Sequence, residues 1–199
     1  MGLTFYTVGH STRSLPEFLA ILDFYKISTI ADVRAFPTSK RFPHFSQDQL
    51  SLALEQAGIK YFWLGKELGG YRKTGLGISS PNTAWKSQGF QNYADHMLTE
   101  EFQEGVQRLL RLGEKERTAI LCAERFWWRC HRRLLADWLV AHGHRVIHIM
   151  EMNRVVEHKL SSFARVEGER VIYPGRGPWS PGCGKDFFRR SFRAEGPGV

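Results

Sequence analysis

Two thiols, a carboxylate, an imidazole and three guanidiniums crowd the eleven residues from Cys122 to Arg132, which read Cys-Ala-Glu-Arg-Phe-Trp-Trp-Arg-Cys-His-Arg. Cys122 and Glu124 close an apolar strand pattern, whereas Cys130 and His131 fall where a helix should begin. Free backbone amides and the positive end of a helix dipole at such a point lower a thiol pKa and attract an anion. Arg129, Arg132 and Arg133 add positive charge there. With Arg34 they suggest an anion cradle, because guanidinium matches carboxylate and phosphate in a bidentate way. Glu124 is a candidate general acid or base if it is buried beside the rings of Phe126, Trp127 and Trp128. Those three aromatics read as a lid or wall.

Further candidates come from other parts of the chain. His10 lies in Gly9-His10-Ser11-Thr12-Arg13, where Gly9 permits close backbone approach, and Arg13 joins it as a ligand-binding candidate. Arg34 either binds ligand or pairs with Asp32 or Glu67, and Glu67 itself follows an apolar strand pattern. His148 alternates into a strand and reads as a core residue.

Several catalytic templates are excluded. A thiol phosphatase loop needs five residues between cysteine and arginine, but six lie between Cys122 and Arg129, two of them tryptophans. The chain has no phosphate-binding glycine loop of the P-loop or dinucleotide type and no G-x-S-x-G elbow. The spacing assigns no metal: seven residues separate Cys122 from Cys130, and neighbours such as Cys130 and His131 diverge by about 100° on a helix. A site made by Cys122, Cys130 or His131 with His10 is the minor alternative. No cofactor is assigned.

Alternating strand and helix patterns must position these groups. Leu3–Val8, Ser28–Val33, Lys60–Leu64, Thr118–Leu121 and Arg145–Met150 read as buried strands. Helices are signalled by the capping boxes Ser14–Glu17 and Ser46–Gln49, by Thr99 ahead of Glu100 and Glu101, and by the periodic Leu134, Leu135, Trp138 and Leu139. Gly58 and Gly143 stop two of them. Ala164–Tyr173 reads as a strand pair turning at Glu167-Gly168-Glu169. The expected fold is α/β: a three-layer sandwich with a mainly parallel sheet of about five strands, Rossmann-like or flavodoxin-like. Right-handed crossovers then bring His10, Arg34, Glu67, Cys122, Glu124 and Glu151 to one sheet edge, where such folds bind ligands.

A length of 199 residues with 42% hydrophobic content suits one domain. Within it, residues 1–150 form the core, 65–92 a long loop insertion and 151–199 an irregular basic extension. The net charge of +8 favours an anionic small molecule or nucleotide as partner. The competing partner is nucleic acid, on the strength of arginines interleaved with aromatics at Trp127–Arg129 and Lys185–Arg193. An odd count of cysteines (Cys122, Cys130, Cys183) and a start that runs straight into a strand pattern lead to the expectation of a reduced, cytoplasmic setting. No apolar run approaches the roughly 20 residues that span a bilayer. Oligomeric state is not assigned.

Taken together, the motifs resemble the family called domain of unknown function 488. The likeness rests on Thr7–Arg13, Asp32-Val33-Arg34, Phe36–Ser39, Pro43-His44-Phe45, Leu68-Gly69-Gly70, Ser80–Trp85, Tyr93-Ala94-Asp95, Cys122-Ala123-Glu124 and Cys130-His131-Arg132. It implies a bacterial or archaeal cytoplasmic α/β protein of one domain and supplies no reaction. The candidate reading is therefore an enzyme in which Cys122 or Glu124, with His10, works on an anion held by Arg34, Arg132 and helix amides. A nucleic-acid-binding module and thiol redox or sulfur transfer are the alternatives.

Overall fold

In the computed structural model, residues 2–175 are described; Cys183 and the basic aromatic segment Lys185–Arg193 lie outside them. Six strands, β1 (Thr4–Gly9), β2 (Thr29–Asp32), β3 (Lys60–Trp63), β4 (Thr118–Cys122), β5 (Arg145–Glu151) and β6 (Arg154–Glu157), form one sheet in the order β3-β2-β4-β1-β5-β6. The first five run parallel, and β6 is antiparallel to β5 at the edge. The expected sheet thus gains a sixth strand. Arg154-Val-Val-Glu157 is largely exposed and carries no alternating apolar signal, so its pairing is a consequence of the tight turn after β5 rather than of local pattern.

Side-chain alternation along the strands builds two cores. Tyr6, Val8, Ile30, Ala119, Leu121, Ile147 and Ile149 face α1 (Leu15–Phe24) and α2 (Gln47–Gln56). Phe5, Ala31, Val33, Ile120, Cys122 and Val146 face α4 (Gln88–His96), α5 (Glu100–Lys115) and α6 (Arg132–Ala141). This makes the three-layer α/β sandwich. Because the helices after β1 and β2 cover one face and those after β3 and β4 the other, the crevice of the switch point opens at the carboxyl ends of β2, β4 and β1.

Local signals explain most element ends. Ser14 accepts from the Glu17 backbone amide while the Glu17 carboxylate takes the Ser14 amide, the reciprocal capping box that starts α1. Thr99 caps α5 by accepting from Phe102. Gly58 and Gly143, at φ +71° and +81°, end α2 and α6 in a region that favours glycine. Ser46 does precede α2 but makes no capping box: its hydroxyl accepts from the Ser39 amide at 3.2 Å instead, tying down the preceding loop. The β7 (Arg165–Glu167) and β8 (Arg170–Ile172) hairpin turns at Gly168, φ +62°.

The stretch 65–92 is more ordered than its glycines suggest. It holds the short helix α3 (Gly65–Leu68) and the start of α4, and Asp95 gathers its middle by accepting from the Leu76 amide, the Ser80 hydroxyl and the Asn82 side-chain amide. No helix among the described residues is long and apolar enough to cross a membrane.

Candidate functional site

Cys122 is the last residue of β4 and pairs in register with Gly9 of β1. The chain then leaves the sheet through Ala123–Phe126, makes one 3-10 turn at Trp127–Arg129, and returns extended at Cys130 before His131 opens α6. Two contacts fold this detour back. The Trp127 ring stacks on His148 at 4.2 Å and 5°, and Arg132, 1% exposed, donates to the Glu124 carbonyl and, at 3.5 Å, to the Thr7 hydroxyl. Gly9 is required beneath the loop because a Cβ there would overlap the Glu124 carbonyl.

The return brings the two sulfurs 3.3 Å apart, with His131 Nδ1 3.5 Å from Cys130 Sγ. This contact drives the acidities of the two sulfurs apart. The hydrogen bond with Cys130, together with burial, pushes the Cys122 thiol up. Burial alone would raise Cys130 too, but the hydrogen bond from Cys122, then His131 and Arg132, bring it well below the ordinary thiol range. Of the two sulfurs, Cys130 is the one biased towards the thiolate and Cys122 the one biased towards the thiol. Gly70 lies against the His131 ring so closely that a Cβ would overlap Nδ1, and Tyr93 packs on the ring at 5.0 Å.

These residues floor a cleft of about 430 Å³ whose lining includes Arg34, Phe36, Tyr71, Phe90, Glu124 and Arg129. Phe36 and Tyr71, both well exposed, pair at 5.5 Å and form its aromatic side. Phe126 and Trp128 stack on each other, and Trp127 turns inward to His148, so none of the three lines the cleft as the expected lid or wall. Glu124 lines it but is exposed, without the apolar burial that would tune it as an acid or base.

The other candidates separate. Arg34 reaches the cleft, yet its guanidinium is engaged by Asp32 through Nε at 2.9 Å and Nη2 at 2.5 Å, and it donates to the Phe45 carbonyl at 2.7 Å. Asp32 is held in turn by the Tyr61 hydroxyl at 2.7 Å. His10 is buried behind this pair: Nδ1 donates to the Ser11 carbonyl, Nε2 accepts from Arg34 at 3.3 Å, and the ring stacks on Phe45 at 4.1 Å. Burial first, then the Arg34 charge, lower its pKa to about 4, so it is neutral. Arg13 faces away, donating to the Gly9 and Met150 carbonyls and pairing with Glu151 beside a separate depression. Glu67 pairs with Arg108 and packs against Gly105 of α5, off the cleft.

Sequence reasoning missed a buried relay behind the loop. Asp137 of α6 accepts from His158 Nε2 at 2.9 Å, His158 Nδ1 accepts from His148 Nε2 at 2.9 Å, and His148 Nδ1 accepts from the Thr7 hydroxyl at 2.7 Å. Tyr173 and the Ser161 amide complete the Asp137 shell. Burial, then His158 and Arg132, lower the His148 pKa to about 2. His148 is thus a core residue, as expected, but one that orients Thr7 towards Arg132. The available signal was Asp137 on the same helix face as Leu134 and Trp138, a carboxylate that needs partners when buried.

Comparison with known proteins agrees with this frame. No curated protein and no solved structure gives a match. A family model described as "Domain of unknown function DUF488" matches residues 14–139, more than half of the chain, and takes in Asp32-Val33-Arg34, Cys122-Ala123-Glu124 and Cys130-His131-Arg132. By that match the chain belongs to the DUF488 family.

Proposed function

We propose that the cleft is the active site of a thiol enzyme, and that it acts on a small anionic substrate carrying an electrophilic sulfur. The observation that carries this is the 3.3 Å approach of Cys122 and Cys130 at the cleft floor, with the lower-pKa sulfur on Cys130. In the proposed reaction the Cys130 thiolate attacks one sulfur of a disulfide-bearing substrate. A mixed disulfide forms and the other substrate sulfur leaves as a thiolate. The Cys122 thiol loses its proton to that leaving group and attacks Cys130 Sγ, releasing the second substrate thiolate. The protein is left with a Cys122–Cys130 disulfide: it has lost the two electrons that the substrate gained, and a cellular dithiol resets it. A low-pKa attacking thiol beside a resolving thiol is the arrangement this chemistry needs. Arg129 on the lining favours an anionic substrate, and the volume suits a molecule of metabolite or nucleotide size.

The test uses the Cys183→Ser background, so that the third thiol does not report. A chromogenic aromatic disulfide should leave one stable mixed-disulfide adduct per chain in Cys122→Ser, mapped to Cys130 by mass spectrometry. The parent should release two thiolates and hold none. No adduct in Cys122→Ser, or an unchanged release of two thiolates in Cys130→Ser, overturns the proposal. The alternative of a nucleic-acid-binding module draws on Trp127–Arg129, where Trp127 is turned inward onto His148, and on Lys185–Arg193, which lies outside the described residues.

A further inference from the structure

We propose that Cys122, Cys130 and His131 also form a binding site for a thiophilic cation, zinc foremost, with three protein ligands and one position open to the cleft. Their ligand atoms all lie within 4.8 Å of one another, and all three residues are buried. A tetrahedral zinc ion with Zn–S of about 2.3 Å and Zn–N of about 2.0 to 2.1 Å requires an S···S separation of about 3.8 Å and an S···N separation of about 3.5 to 3.6 Å. The observed values are 3.3 Å between the sulfurs and 3.5 Å between Cys130 Sγ and His131 Nδ1. The Cys130–His131 separation is already that of a tetrahedral edge, the sulfurs need to part by about 0.5 Å, and the third pair, Cys122 and His131, lies within 4.8 Å.

Two further features point the same way. Among the described residues His131 Nε2 is buried without a hydrogen-bond partner, so no neighbour fixes which ring nitrogen carries the proton; with the proton on Nε2, the Nδ1 lone pair that faces Cys130 Sγ turns to a metal. Two thiolates and a neutral imidazole around a divalent cation sum to zero charge, which costs less in a buried site than a lone thiolate. Among the described residues no fourth histidine, cysteine or carboxylate joins the group. Three protein ligands with a vacant direction towards a cleft is the pattern of a reactive or exchangeable site rather than a closed structural one.

The functional consequence rests on the thiol reading above, although the site itself does not. A bound cation engages a lone pair of each sulfur, so the loaded protein exchanges with a disulfide only as the cation leaves. Oxidation by a disulfide substrate gives the protein disulfide, two substrate thiols after uptake of two protons, and the free cation. Metal and substrate would then compete for one pair of sulfurs.

Cobalt(II) added to the reduced full-length protein, with zinc as competitor, tests this. One equivalent should bring up a thiolate-to-cobalt charge-transfer band and the intense visible bands of a tetrahedral site, and zinc should bleach both. Cys122→Ser and Cys130→Ser should lose the charge-transfer intensity, and His131→Ala should weaken binding by more than the roughly tenfold that loss of an outer partner costs. Cys183→Ser should match the wild type. A misfolded variant would not mislead, because the wild type carries its own control: one equivalent of zinc should shield two of its three cysteines from alkylation. Cobalt binding without a thiolate band, bands that survive in Cys122→Ser, or no zinc protection overturns the site. Cobalt bands without disulfide exchange leave the cation site standing and remove the enzyme reading; exchange without cobalt bands does the reverse.

Discussion

Acidification from about pH 7.5 to about pH 5 should cost this protein roughly 4 kcal/mol of folding stability, and the reason is two buried histidines that fold neutral. His10 and His148 are 4% and 1% exposed, and burial is the first cause lowering their pKa values, to about 4 and about 2. An unfolded histidine titrates near 6.5, so below that pH the unfolded chain takes up protons that the folded chain refuses. Stability therefore rises with pH in this window and falls as pH drops, at about 1.4 kcal/mol per pH unit per group. From about 6.5 to about 5 each histidine loses about 2 kcal/mol, a figure that depends little on the folded value so long as it lies well below 5. His96, also lowered mainly by burial, acts in the same direction. Against a typical total of about 5 to 15 kcal/mol, the loss is large enough to measure. Urea unfolding followed by tryptophan fluorescence across this range should give a falling free energy with constant m. His10→Asn should lower stability at neutral pH and reduce the slope by about half. A stability that is flat between pH 7.5 and 5, or a slope unchanged in His10→Asn, would refute the assignment of neutral buried rings.

Two substitutions probe the site and its support. Gly70→Ala drives a methyl into the His131 ring; overpacking of this kind costs about 1 to 3 kcal/mol. Because His131 must move off Cys130, alkylation of Cys130 at neutral pH should slow and cobalt affinity should fall, measured together on the same preparation. Tyr173→Phe removes the hydroxyl that reaches Asp137 Oδ2 at 3.0 Å and leaves that buried oxygen without a donor, a loss of about 1 to 3 kcal/mol. Thermal and urea melts should record it, and a melting point equal to that of the wild type would show that Asp137 does not depend on this partner.

The parts of the fold that local chemistry dictates were legible, and the parts that long-range packing dictates were not. Strand alternation, the Ser14 capping box, the glycine stops at 58 and 143 and the turn at Gly168 are properties of a few neighbouring residues, and the structure keeps each of them. The Asp32-Val33-Arg34 triplet left ligand binding and ion pairing equally open, since residues two apart on a strand end share a face; the Tyr61 hydroxyl and the Phe45 carbonyl, supplied from elsewhere, fix Arg34 in a pair. The dithiol shows the limit most clearly. Spacing rules argued against a metal shared by Cys122, Cys130 and His131 because they assumed that Cys130 and His131 both lie on a helix, where successive side chains diverge by about 100°. Cys130 is instead extended, at φ −132° and ψ 152°, and only His131 has turned into the helical region, at φ −56° and ψ −17°. That single change of backbone region lets the two side chains face the same point. Its cause lies far off in sequence: Trp127 must find His148, and His148 is held by His158 and Asp137. The seven residues between the cysteines are thus no flexible spacer but a loop folded back by a buried polar relay. Any substitution that loosens this relay should act on the sulfurs without touching them.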